Sequence, residues 1–354
     1  MSKPDDKSVP IVDCKHEDVR NPDDFSYHIN LLAPNEEHLP AEQIQKAASA
    51  SKSLFLANIS TRPIRLPPRR LALCGGGIRC IAHVGVFKEL SKYGYLSCVK
   101  EIFGVSGGAL IGLAYCLGYS LEQLERLALE LDFSVLRDIT PDSAFDFPTT
   151  FGLDPGNGLD KLLTSLLTRK GFSSEVTFQK LKPVCGFRCY ATDIQSNSVK
   201  EFSAQKTPSI SVKLAVRASM SLPVLYTPVK DPLTGHLLMD GGILHNLPLV
   251  FLNGKERAET MAILFTKSSG SVKEEINLLD LFQCVYDSMT FMRNEPFIKA
   301  FKQNIVLIPV RDTAALQFEL TKEQKKSLID LASEETRKYL FTQDHKPLRR
   351  YSCS

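Results

Sequence analysis

The segment Gly104-Val105-Ser106-Gly107-Gly108 constrains this chain more than any other. It follows an apolar run predicted as a strand over about Glu101 to Val105 and precedes a run predicted as a helix to about Leu117. A GxSxG pentapeptide between strand and helix is the nucleophile-elbow pattern. Its glycines let strand and helix approach closely around a serine held in a strained backbone, with the hydroxyl at the sheet end. The pentapeptide alone arises often by chance, and the strand–turn–helix context gives it weight.

The same grammar precedes it. Leu71-Ala-Leu-Cys74 is a short apolar strand, then come Gly75-Gly76-Gly77-Ile78-Arg79, then a helical pattern to about Tyr93 with Ala82, Val86, Phe87 and Leu90 on one face. Glycines between a strand end and a helix start leave bare N–H groups that, with the helix dipole, favour negative charge. The bound charge could be a phosphate or the oxyanion formed when an ester carbonyl is attacked. Cys80 occupies the last glycine position of a GxGxxG dinucleotide fingerprint, and the Gly-Lys-Ser/Thr of a phosphate-binding P-loop is absent. Strand, glycine turn, helix, strand, tight turn, helix predicts a parallel α/β sheet.

Further elements follow. Ser120 with Gln123 and Thr321 with Gln324 form capping boxes for two more helices, the second running to about Phe341. Helices are predicted at about 159–167, 212–220 and 278–293, and short strands at 187–204 (two), 261–265 and 304–309. Residues 132–158, rich in Pro and Gly, read as a loop whose Phe133, Phe145, Phe147 and Phe151 suit a lipid surface; the segment is expected over or beside the active-site mouth.

An elbow serine needs a base. The downstream histidines His236, His245 and His345 lack a convincing partner acid, although His245 lies close to Asp240; His83 and His245 read as structural. Asp240-Gly241-Gly242, at the end of an apolar strand in Leu237-Leu-Met-Asp240, supplies another candidate, although on its own it is an ordinary turn.

Together these segments resemble the patatin-like phospholipase family: a Gly-rich loop ending in Arg, a GxSxG elbow some thirty residues on, and a distant DGG continued by Asn246 and Pro248. The resemblance extends over about residues 71–341, through Thr192-Asp193, the 212–223 helix, and Phe318 to Tyr339. Cys74 departs from the family's frequent Asp and Cys80 from its frequent Gly. The resemblance implies a three-layer α/β/α fold with a mainly parallel central sheet. It also implies a Ser106–Asp240 dyad that cleaves carboxylic esters of membrane lipids in the manner of a phospholipase A, through an acyl-enzyme. The oxyanion site would comprise Gly75, Gly76, Gly77, Arg79 and Gly107, with the amides of Gly76 and Gly77, joined by that of Gly107, as donors and Arg79 either orienting the loop or adding positive charge, without metal or cofactor. Neutral-lipid lipase, lysophospholipase, thioesterase and acyltransferase share that dyad; a silent membrane- or partner-binding protein on the same fold would be marked by loss of Ser or Asp, and both are present.

Composition places this chemistry. With 43% hydrophobic and 23% charged residues the chain is of globular type, and a net charge of +3 does not argue for nucleic acid. The nine cysteines read as reduced, packed thiols, Cys98, Cys116 and Cys284 among them, in a reducing compartment. The polar start carries no secretory signal, and residues 109–121 are too short and glycine-interrupted to span a bilayer. The expected location is cytoplasmic, with peripheral association to a phospholipid membrane. Residues 1–70 read as a polar extension ending in an Arg/Pro linker with Arg62, Arg65, Arg69 and Arg70, residues 71–341 as the catalytic domain, and 342–354 as a short basic tail.

Overall fold

Continuous apolar runs with no polar alternation require cover on both faces. Two such runs, β1 (Arg70–Leu73) and β2 (Glu101–Val105), lie side by side in the middle of an eight-stranded sheet. Leu71, Ala72, Leu73, Ile102, Phe103 and Val105 are fully buried, so helices cover the sheet on both sides in the expected α/β/α arrangement. The computed structural model describes residues 66–266, 278–310 and 319–342. Residues 1–65 of the polar extension, Phe318 and the tail beyond 342 lie outside the described residues.

Parallel pairing runs from β10 (Ile305–Pro309) through β9 (Thr260–Thr266), β1 and β2 to β4 (Gly186–Asp193). Beyond that the sheet turns antiparallel, and β4 decides how. Along one edge, Cys189 to Asp193 pair with β5 (Ser198–Phe202). The other edge must then serve two strands: β2, parallel along Gly186 to Tyr190, and β8 (Leu237–Asp240), antiparallel along Ala191 to Asp193. So β2 and β8 run head to head, Val105 opposite Tyr190 and Asp240 opposite Ala191. The residue after Val105 is Ser106, and the register brings it to Asp240 across more than a hundred residues of chain. β7 (Val229–Lys230) closes this end of the sheet, and β3 (Gly152–Asp154) pairs with β6 (Val224–Tyr226) apart from it.

The helices α1 (Ala82–Lys92), α2 (Gly107–Cys116), α3 (Leu121–Glu130), α5 (Asn157–Thr168), α6 (Val212–Ser219) and α9 (Lys322–Thr342) fall where the periodicity places them. Both expected capping boxes form their two reciprocal bonds. Helix α1 is buried because α9 crosses it at Gly85, where a Cβ would meet the Ile329 carbonyl oxygen at 2.0 Å. A short α7 (Gly254–Ala258) precedes β9. The predicted helix at 278–293 extends further, as α8 (Leu278–Ala300) with Pro296 inside it.

Residues 132–158 correct the loop reading. They hold a 3₁₀ turn (Phe133–Leu136), α4 (Pro141–Thr150) and β3. Thr140 and Ser143 form a capping box with Pro141 in the first turn, and Phe151 ends the helix at φ 59°, a left-handed position that glycine usually fills. These local signals outweigh the scattered Pro and Gly on which the loop reading rested. The cysteine reading holds for Cys74, Cys80, Cys98, Cys116, Cys185 and Cys189, all buried free thiols, but Cys284 is exposed on α8.

Candidate active site

Ser106 sits between β2 and α2 with φ 52° and ψ −126°, a strained conformation for a residue with a Cβ. Three contacts sustain it. Its N–H donates to Ser219 Oγ at 2.9 Å, and Ser219 Oγ donates onward to the Tyr190 carbonyl at 2.6 Å. Gly107 follows it in contact with Cys80, where a Cβ on Gly107 would lie 2.6 Å from the Cys80 Cβ. The departure at Cys80 is thus accommodated by packing its side chain on the elbow. Both thiols beside the loop, Cys74 and Cys80, are pushed up to about 12 by burial and stay protonated.

Asp240 is fully buried. Its Oδ1 accepts from the Gly242 N–H and from the Tyr286 hydroxyl, both at 2.8 Å. Gly242 must lack a side chain, since a Cβ there would lie 2.1 Å from the Tyr286 oxygen. Oδ2 makes no aligned hydrogen bond to the described residues, while the Ser106 hydroxyl adjoins the carboxylate closely enough to favour its charged form. Catalytic hydrogen bonds commonly align fully only around a substrate. Burial raises the Asp240 carboxyl from 3.8 to about 6, and the Ser106, Gly242 and Tyr286 donors offset part of that rise. A base that titrates near neutrality, with one free lone-pair edge beside a serine hydroxyl, is suited to taking a proton.

The glycine loop faces the same point. Asn246, six residues past Asp240, clamps it: Oδ1 accepts from Gly75 N–H at 2.7 Å and Nδ2 donates to Gly75 O at 3.2 Å. The Gly75 amide is therefore engaged, and the expectation that it donates to an oxyanion is corrected. Gly76, Gly77 and Gly107 keep N–H groups with no acceptor among the described residues. Arg79, also expected at the oxyanion site, is buried and directed to Asp287 of α8 at 3.7 Å.

Ser106, Gly75, Gly76, Gly77, Arg79 and Asn246 line one cavity of about 550 Å³. Leu222, Leu264 and Phe265 form an apolar wall, and α8 forms another with Phe282, Tyr286, Asp287, Thr290, Asn294 and Ile298. No residue of the 132–158 segment lines it.

The described histidines hydrogen-bond no member of the proposed dyad, and His345 lies outside the described residues. His83 donates through Nε2 to the Cys74 carbonyl at 2.9 Å, its pKa lowered by burial to about 4. His245 packs edge-on against Phe251 and Phe297, also lowered to about 4, by burial and then by Arg293. His236 bonds Asp193 at 2.8 Å. Tyr286, Ser219 and the Asp287 partner of Arg79 were missed from the sequence. They join segments far apart in the chain, and no local motif marks them; the one hint is Phe282, Tyr286 and Thr290, a four-residue repeat on the cavity side of α8. Among the described residues no group of His, Cys, Asp and Glu could hold a metal ion.

Comparison with known proteins agrees with this architecture. A family model described as patatin-like phospholipase matches residues 71–252. The uncharacterized protein YqhO of Bacillus subtilis is 28% identical over 286 residues, covering 75% of this chain and 96% of its own. Human patatin-like phospholipase domain-containing protein 6 is 31% identical over 183 residues, 50% of this chain and 12% of that much longer protein. The crystal structure of VipD from Legionella pneumophila superposes with a TM-score of 0.54 at 16% identity, over 78% of this chain and 67% of its own, and shares the fold. The family model spans glycine loop, elbow and Asp-Gly-Gly turn alike, and the chain belongs to the patatin-like phospholipases, serine-dependent hydrolases of carboxylic esters.

Proposed function

We infer that this enzyme is a lipid acyl hydrolase of phospholipase A type working through a Ser106–Asp240 dyad. The observation that carries the reading is the head-to-head meeting of β2 and β8, which sets a strained serine beside a buried carboxylate with one unbonded oxygen. Asp240 Oδ2 accepts the hydroxyl proton as Ser106 Oγ attacks the ester carbonyl. Negative charge builds on the carbonyl oxygen, where the N–H groups of Gly76, Gly77 and Gly107 can point, with the first turn of α2 adding its dipole. The intermediate collapses, the ester C–O bond breaks, and the departing alcohol or lysolipid takes the proton from Asp240. Water then attacks the acyl-enzyme, Asp240 accepts its proton, and Ser106 leaves reprotonated as the fatty acid departs.

Gly75 and Arg79 act on the loop's position, Gly75 through Asn246 and Arg79 through Asp287. The apolar cavity walls suit an acyl chain. The described residues contain no helix long and apolar enough to cross a membrane. Peripheral attachment at a phospholipid surface fits this reading, and buried free thiols fit a reducing, cytoplasmic setting. The test is mass spectrometry of mixed liposomes incubated with wild type and Ser106→Ala. Release of fatty acid and lysophospholipid by wild type alone is expected; equal release by both proteins overturns the reading.

A further inference from the structure

Helix α8 has two faces of different character. Its inner face lines the cavity and carries Tyr286 and Asp287, which meet Asp240 and Arg79. Its outer face exposes Leu281, Cys284, Val285, Ser288, Met289 and Met292. Those positions follow i, i+3, i+4, i+7, i+8, i+11, one stripe of a helix, and none bears a charge. At 1.5 Å per residue the stripe is about 16 Å long. Leu281, Val285 and Met289 are 49, 49 and 46% exposed, and Met292 is 65% exposed. Soluble proteins scatter exposed apolar side chains singly; an aligned set at a cavity rim marks an interaction surface.

What would cover it follows from where it leads. Ser288 and Met292 belong both to the stripe and to the cavity lining, so whatever lies on the stripe lies at the entrance to Ser106. The same helical face continues to Lys299, seven residues past Met292, whose side chain is 75% exposed. Lys299 pairs with Glu295 at 2.7 Å, and Arg293 and Lys302 are exposed beside it, so the described charges at this end of the helix sum to an excess of cations. An uncharged stripe bordered by cations is the pattern of a helix lying in a lipid–water interface, apolar face down with cations toward anionic headgroups. We propose that the outer face of α8 docks this enzyme on the surface of the lipid aggregate that holds its substrate, setting the cavity mouth against the bilayer. The proposal rests on the lipid-hydrolase reading above. It assigns the docking role to α8 in place of the aromatic residues of segment 132–158, none of which borders the cavity.

The chain contains no tryptophan, so one introduced on the stripe reports alone. Met289→Trp is examined with vesicles of phosphatidylcholine containing phosphatidylserine, some carrying brominated acyl chains. The expected result is a shift of emission to shorter wavelength on adding vesicles, with quenching by the brominated lipid. In parallel, Val285→Glu/Met289→Glu should lower hydrolysis of vesicle lipid by about tenfold or more while leaving a soluble short-chain ester within about twofold. Neither residue lines the cavity. Unchanged emission with vesicles, or equal loss on both substrates, overturns the proposal. So does emission already at short wavelength without vesicles together with a dimeric mass by light scattering, which would assign the stripe to a second copy. Failure of the catalytic reading looks different: vesicle docking would persist, while soluble-ester hydrolysis would be absent or indifferent to Ser106→Ala.

Discussion

The junction of β2 with β8 and the inner face of α8 both touch Asp240, and they do so by different means. At the junction, two strands paired to the same edge of β4 deliver Ser106 and Asp240. Backbone register holds them, and moving either residue would require re-pairing the sheet. Helix α8 reaches the site through side-chain contacts: a tyrosine hydroxyl to Oδ1 and an aspartate to Arg79. The two groups proposed to make and break bonds are fixed by the sheet, whereas the proton affinity of the proposed base and access to the cavity depend on a helix held only by side-chain contacts. Substitutions on strand ends should therefore abolish chemistry, and substitutions on α8 should retune it.

The largest effects are expected at the strand ends. Ser106→Ala and Asp240→Asn should each lower kcat/KM on a soluble short-chain ester by about 1,000-fold or more, with the circular-dichroism spectrum unchanged. Activity within tenfold of wild type in either folded variant removes the dyad. Asp240→Asn should also stabilise the fold. The carboxyl titrates at about 6 when folded, against 3.8 when free, so the native state binds the proton more tightly than the unfolded chain. The charged form then costs stability above pH 6, and the cost fades as pH falls from 6 towards 3.8. Removing it should raise stability by roughly 3 kcal/mol at pH 8 and by little at pH 4, read from urea unfolding at the two values.

A middle effect is expected at the clamp between the loops that follow β1 and β8. Asn246→Ala leaves both polar groups of Gly75 without their partner and loosens the glycine loop. We expect kcat to fall by about tenfold with KM for a soluble ester little changed. A rise in KM at unchanged kcat would make Asn246 a substrate-binding residue instead.

A smaller effect, and the sharpest test of the comparison, lies on α8. Tyr286→Phe removes one donor from the Asp240 carboxylate, which raises its pKa above about 6. The rate requires the ionised base, so the acidic limb of the pH–kcat/KM profile should move to higher pH. Activity should drop several-fold at pH 6 and recover by pH 9. A uniform loss at all pH values would make Tyr286 only a packing residue. The smallest effects concern the histidines and metal. His245→Asn should leave kcat within about twofold, because the half-buried imidazole, its pKa lowered to about 4, packs among aromatic rings and has no hydrogen bond to Ser106 or Asp240. Excess chelator should leave soluble-ester hydrolysis unchanged if, as proposed, backbone donors serve the oxyanion; loss restored by calcium would contradict that.

The same contrast explains what could be read from the amino acids alone. Strands β1, β2, β4, β5, β8, β9 and β10, helices α1 and α2, both capping boxes and the order of the glycine loop, Ser106 and Asp240 were legible, because each rests on periodicity or a motif within a dozen residues; the two- and three-residue strands β3, β6 and β7 are too short to show a period. Pairing Ser106 with Asp240 needed the family resemblance, since only the shared edge of β4 brings them together. Helix α4 was not legible: its start depends on Thr140 and Ser143 bonding each other, and it continues through Pro148. The roles of Tyr286, Ser219 and Asp287 were invisible for a related reason. Each acts on a group between 46 and 208 positions away in the chain, and an isolated Tyr, Ser or Asp in a helix carries no sign of its partner. The Gly75 amide was misassigned because its acceptor, Asn246, lies 171 residues on.

The central claim is that Ser106 forms the acyl-enzyme with Asp240 as its base. Acid-quenched mixing of enzyme with a soluble short-chain ester, followed by intact-mass and peptide analysis, measures this directly. The prediction is a mass gain of one acyl group, located on Ser106, that forms about 1,000-fold more slowly in Asp240→Asn and at an unchanged rate in His245→Asn. An acyl group on another residue, or formation in Asp240→Asn at the wild-type rate, would contradict the account.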